Sequence, residues 1–217
     1  MTTNQSAGRI ISVLLIAQGI ASWSANFGLL GPVIAPPGIL TNAAASTGPL
    51  TLSMLLLILS GVFSLGMAIT ALPVLRQQGS TMAVWFVAFA TVGLAGLVLE
   101  GVTLRAIVPV SRDYVQAGGA DALVFQAVGT LIRSVRNTAH YTDILMSGGT
   151  FAVFYAALFR FALVPRVLAG FGLFAVALMI VGALIPLFGY PTVLAMFTAM
   201  GVSHLALAVW LMIKGFR

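Results

Sequence analysis

The sequence predicts an all-α polytopic membrane protein, with six transmembrane helices and an amphipathic helix on the outer surface. Three observations predict it. Only 6% of the 217 residues are charged and 60% are hydrophobic, whereas a soluble domain carries about 25% charged residues. Mean hydropathy is +1.12. The apolar residues gather into six runs long enough to cross a bilayer, which takes ~20 residues each.

The runs cover about residues 10–35, 49–75, 81–108, 141–161, 167–188 and 190–213, and together form one domain over 1–217. The first is preceded by Arg9 and closed by "APPGILTNAAASTGP". "IISVLLIA" followed by "GIAS" has the look of a signal peptide with a small-residue cleavage site. The apolar run continues well past that point, so an uncleaved first helix is expected. "RQQGS" separates the second and third runs and "LVPR" the fourth and fifth. "FGYP" turns the chain into the sixth, because Gly and Pro side by side favour a turn over helix.

Orientation follows from the basic residues. With six spans, Arg9, Arg76, Arg160, Arg166, Lys214 and Arg217 fall on one side, and Arg105, Arg112, Arg133 and Arg136 on the other. Acidic residues weigh little in the positive-inside rule, so the balance is six to four and both termini are expected in the cytoplasm. Trp85 and Trp210 lie near that interface, where indoles are enriched. The net charge of +6 comes without any basic run, so it fits topology and gives no nucleic-acid surface. With no cysteine, a disulfide, a thiolate metal site, a cysteine nucleophile and c-type haem are excluded.

All four acidic residues lie between positions 100 and 143. The stretch 119–137 is too polar to span. Its Val124, Val128, Leu131 and Val135 recur at helical spacing opposite Gln126, Thr130, Arg133 and Asn137, which gives the amphipathic outer helix. If that helix runs on into the fourth span, one polar stripe joins Arg133, Arg136, Asn137, His140, Asp143, Ser147 and Thr150. The last three lie past the interface and need neighbours.

The third span offers them. Gly93, Gly96, Glu100 and Thr103 share one face, and small residues there turn Glu100 toward a neighbouring helix. At ~1.5 Å per residue, Glu100, His140 and Asp143 stand ~25–30 Å above their inner helix ends, near one level in the outer leaflet. A carboxylate in hydrocarbon is costly and is normally paired. The expected polar cluster is therefore Glu100, His140 and Asp143, with Arg105, Arg133 or Arg136 as counter-charge. Weaker polar faces are Gln18, Ser22 and Asn26 on the first span and Ser53, Ser60 and Ser64 on the second.

The cluster admits three roles. It can be a structural network, a site for a small ligand, or a metal site with Glu100, His140 and Asp143 as ligands to zinc or iron. Arginines at its mouth would favour an anionic or amphipathic ligand over a free cation. His204 lies only ~15 Å above Lys214, far below His140, so the two histidines do not flank one haem. A hydrogen-bonded packing role beside Ser203 is expected for it. No phosphate-binding loop or nucleophile elbow occurs in the chain.

At "LVPRVLAGFGL" (163–173) and "LALAVWLMIKGFR" (205–217) the chain resembles the bacterial membrane-protein family called domain of unknown function 4386. The matching features are Arg9, Glu100, Pro165-Arg166, and Trp210-Leu211 followed by Lys214-Gly215-Phe216. The resemblance implies six spans in a bacterial plasma membrane and carries over no catalytic residue. Three functions stay open, in order: an accessory or partner subunit acting through binding, a small-molecule, anion or lipid permease using the outer polar cavity, and a metal-dependent intramembrane hydrolase. Membrane lipids are expected partners, and no cofactor is expected.

Overall fold

The computed structural model describes residues 3–118 and 121–217, and within them every regular element is a helix. Among the described residues there are two short α-helices and six long ones. They are α1 (Thr3–Trp23), α2 (Leu30–Ile34), α3 (Ile39–Asn42), α4 (Thr47–Gln78), α5 (Ser80–Gln116), α6 (Ala122–Arg160), α7 (Arg166–Leu187) and α8 (Ala195–Lys214). A π-helical segment, Ser24–Leu29, joins α1 to α2, so that Asn4–Ile34 acts as one span. Among the described residues, six helical segments are long and apolar enough to cross a membrane.

Each long helix packs on its neighbours in sequence, and α8 returns to α1 to close a ring. Both termini, the α4–α5 turn and the α6–α7 turn lie at one end, called here the termini end. That end is tightly filled. Ile11, Leu15, Phe86, Phe154, Leu158, Leu207 and Leu211 belong to one continuous apolar core drawn from all six spans. Tyr155 fits against Gly172, where an added Cβ would come 2.1 Å from the ring. A smaller apolar cluster around Leu30, Ile39, Leu50, Leu104 and Ile107 holds the far end together.

The C-terminus is locked in by a backbone only glycine adopts readily. Gly215 has φ 69° and ends α8. Its Cα lies where a Cβ on Gly8 would come within 2.9 Å, so α1 and the chain end cross in close contact. Beyond it Phe216 is buried, and the Arg217 amide donates to the Leu163 carbonyl at 2.9 Å.

Several expected boundaries shift for local reasons. The amphipathic stretch 119–137 and the fourth span are one helix, Ala122–Arg160; residues 119 and 120 lie outside the described residues. The helix of the third span runs on to Gln116 through Pro109. The sixth begins only at Ala195, since Gly189 takes φ 87° in the turn that ends α7 and residues 190–193 form no regular structure. The π-helical segment ends just before α2, which contains Pro32. Proline lacks the N–H that would bond to the carbonyl four residues back and its ring crowds that carbonyl, and such mismatches are absorbed by widened turns.

Lengths then separate two kinds of helix. At 20 and 22 residues, α8 and α7 span ~30–33 Å, about the hydrocarbon thickness. At 37 and 39 residues, α5 and α6 reach ~55–58 Å. The α5–α6 hairpin therefore projects well beyond the far ends of α7 and α8.

Candidate functional site: a buried carboxylate under an arginine-lined cleft

The glycine face of α5 decides where the polar groups meet. Gly93 is buried with Glu100 on that face, whereas Gly101 is buried against Met54 of α4. A Cβ on Gly96 would stand 3.2 Å from Asp143 Oδ1, and one on Gly93 would stand 3.9 Å from Ser147 Oγ. Hydrogen in place of a side chain at both positions lets the polar stripe of α6 lie directly on α5.

Glu100 is fully buried on this seam. Its Oε1 accepts from Arg136 Nη2 at 2.7 Å and lies 3.0 Å from His140 Nδ1. Arg136 and His140 are one helical turn apart on α6, so a single carboxylate oxygen bridges both. Arg136 Nη2 also reaches Asn26 Oδ1 at 3.4 Å. Asn26 lies in the π-helical segment and donates its own amide to the Ser22 carbonyl at 3.1 Å. The network therefore ties three spans together around one charge.

Two carboxylate oxygens are left over. Glu100 Oε2 and Asp143 Oδ1 are buried without a hydrogen-bond partner. Buried polar atoms of this kind are uncommon and call for a reason. Asp143 itself is 6% exposed and sits one turn further into the bundle than His140. Among the described residues no three His, Asp or Glu side chains are placed to hold a metal ion. Glu100 and His140 meet, and Asp143 does not close a triad with them.

Above the seam, a cleft of about 220 Å³ opens between α2, α3, α5 and α6. Leu30, Ile34, Ile107 and Ile132 form its apolar walls, and Arg133, Arg136 and Asn137 supply its polar side. Arg136 is thus shared: one edge of its guanidinium holds Glu100 while its side chain lines the cleft. Arg133 is exposed and has no ion pair among the described residues. Arg105 is half-buried on α5 and stands apart from the network, with no ion pair to Glu100 or Asp143.

Two participants escape sequence reasoning. Ser111 of α5 donates to the Leu40 carbonyl at 2.6 Å and accepts from the Ala44 amide at 2.7 Å, which fixes α3 as the roof of the cleft. A lone serine beyond a proline gave no signal for this. Asn26 had a signal, the shared face with Gln18 and Ser22, but nothing pointed it at Arg136 on a distant helix.

His204 departs from the expectation of a hydrogen-bonded histidine. Its ring lies against Phe151, centroids 4.3 Å apart, and against Tyr155. Ser203 instead hydrogen-bonds Tyr155 Oη at 2.8 Å, and His204 Nε2 is buried with no partner. Packing holds this histidine, and the neighbouring hydroxyl is spent elsewhere.

Six apolar helices with an ion-pair network inside them define a multi-span membrane protein. The model of the family described as domain of unknown function 4386 matches residues 10–215. The chain belongs to that family. No curated protein and no solved structure matches it. The features that carried the resemblance have physical roles here: Glu100 is the buried pivot, Pro165 precedes the first turn of α7, and Gly215 permits the crossing with α1.

Proposed function

We propose that this protein acts through binding, and that its ligand is a small anionic amphiphile held in the far-end cleft. The observation that carries the reading is the lining itself, two guanidinium groups with Asn137 and Thr103 on one side and apolar walls of leucine and isoleucine on the other. Such a surface matches an anionic head with a short apolar body, because guanidinium pairs carboxylate and phosphate in a forked geometry. The size sets a limit. At about 220 Å³ the cleft is smaller than the ~300–1,000 Å³ of sites for drug-sized ligands, so it suits a headgroup or a short-chain acid. The apolar packing of the termini end supports capture at one end over a continuous path.

Binding of dodecyl phosphate, measured by calorimetry on protein in a neutral detergent, tests this. Arg133→Gln should weaken it about tenfold, the order expected for one charge-assisted contact, without moving the melting temperature. Equal binding of dodecyl phosphate to both proteins would remove the cleft from consideration.

The partner-subunit reading rests on a different observation. Val124, Val128, Leu131 and Val135 form an exposed apolar stripe on the projecting part of α6. A second protein covering that stripe would protect Leu131 from cross-linking to lipid, and a cross-linker at Leu131 that captures only lipid argues against it.

We also infer that the termini end faces the cytoplasm, from the six-to-four distribution of basic residues. Single cysteines at Gln78, Gly118 and Arg166 report this with an impermeant reagent. External labelling at Gln78 or Arg166 with none at Gly118 reverses the orientation.

A further inference from the structure

A second and larger groove lies at the opposite end of the molecule. It runs between α7 and α8 at the termini end, with a volume of about 630 Å³. Leu168 and Phe171 form one wall, Val209 and Ile213 the other, and Ala206 lies at its inner end. Among the described residues, the charged group that lines it is Lys214, at the outer end. From Ala206 to Lys214 is eight residues, or ~12 Å of helix. That is most of the depth of one leaflet, which is about half of the ~30 Å hydrocarbon core.

The charged side chains around the groove have one sign. Arg9, Arg76, Arg160, Arg166, Lys214 and Arg217 all belong to the termini end, and every acidic residue lies between positions 100 and 143. The Arg217 guanidinium is held over the Trp210 ring, 5.5 Å from its centroid, and Trp210 itself lines the groove. A cation–π contact of this kind keeps the arginine beside the mouth. Indoles and basic residues together are what anchors a helix at the headgroup level.

We propose that this groove is a binding site for a single anionic phospholipid, with an acyl chain between α7 and α8 and the phosphate at Lys214 beside Arg217. An apolar wall alone would accept any lipid. The absence of any Asp or Glu side chain among the basic residues of this end is what selects a net negative headgroup, each lysine or arginine near such a surface being worth about fivefold in affinity. The site is separate from the far-end cleft and does not depend on it.

The experiment uses the full chain, delipidated in dodecyl maltoside. Dioleoyl phosphatidylglycerol and dioleoyl phosphatidylcholine, which share their acyl chains, are added at equal mole fraction. Melting temperature and the number of retained lipids, by native mass spectrometry, are both read. Phosphatidylglycerol is expected to raise the melting temperature and remain bound as one copy, and phosphatidylcholine to do neither. Lys214→Gln should weaken the phosphatidylglycerol response about fivefold, and Val209→Trp, which fills the groove, should abolish retention. Arg133→Gln should leave it intact, which separates this site from the cleft. Equal responses to the two lipids overturn the proposal, as does a phosphatidylglycerol response that Lys214→Gln does not change. Should Val209→Trp fail to fold, the Lys214→Gln comparison still decides.

Discussion

The two ends of the bundle solve the same packing problem with different materials. At the termini end, aromatic and aliphatic groups fill the ring, with Phe86 stacked on Phe154 at 4.8 Å between centroids and Tyr155 fitted over Gly172. At the far end the helices are joined by a buried carboxylate and its two partners, and a cleft remains beside them. Dense apolar packing holds one arrangement, because any side chain that moves leaves a void. Charged groups can exchange partners, and Arg136 already divides its donors between Glu100 and Asn26. The contrast teaches that rigidity is concentrated at the termini end and adaptable polar contacts at the other.

The sharpest way to break this contrast is at Glu100. Glu100→Leu removes the charge but leaves Arg136 and His140 without their shared acceptor. Breaking a buried pair from one side costs about 3–5 kcal/mol. Glu100→Gln keeps an acceptor in the same place and should cost distinctly less. Thermal melts in detergent rank the two. Leucine emerging as the milder change would mean that the far end is held by its apolar cluster and that the ion pair contributes little.

How much of this was legible beforehand divides along the same line. The helical fold followed from apolar run length, since a bilayer demands complete internal hydrogen bonding and helices supply it. The meeting of Glu100 with His140 was also foreseeable, because a glycine face on α5 and a polar stripe on α6 can be read from spacing and matched by helical rise. The choice of counter-charge was not. Arg105, Arg133 and Arg136 were equal candidates by depth, and only the rotation of α6 against α5 selects Arg136. Asp143 was foreseen at the same level, yet it accepts no partner at Oδ1, since it faces Gly96 rather than a donor. The roof of the cleft was invisible, as four helical residues, Ile39–Asn42, carry no periodicity to detect.

A paired glycine test sharpens the other side of the comparison. A Cβ at Gly172 would fall 2.1 Å from two carbons of the Tyr155 ring, whereas one at Gly201 meets nothing within 4 Å. The ring cannot swing aside freely, since it lies against Phe154 and His204 and its hydroxyl is bonded to Ser203. Gly172→Ala should therefore cost about 1–3 kcal/mol, as overpacked cores do. Gly201→Ala, on an open helix face, should be neutral or stabilising by up to ~1 kcal/mol through helix propensity. Equal melting temperatures for the two variants would show the termini end to be looser than its packing indicates.

The smallest effect tests whether a polar contact inside the rigid end matters at all. Tyr155 and Ser203 are both fully buried, and their hydroxyls meet at 2.8 Å. Tyr155→Phe removes one of them. Ser203 lies within α8, so its hydroxyl can turn to the carbonyl of Ala199 four residues earlier, a bond that serine readily makes in helices. That fallback limits the loss to about 1 kcal/mol or less, below the usual cost of stranding a buried donor. Ser203→Ala strands the tyrosine hydroxyl, which has no such carbonyl within its own turn to use, and should cost more than Tyr155→Phe. Removing both groups leaves no orphan and should fall between the wild type and Ser203→Ala. A double variant less stable than either single one would mean that the two hydroxyls act independently, and the contact would then be a consequence of the packing around it rather than a cause.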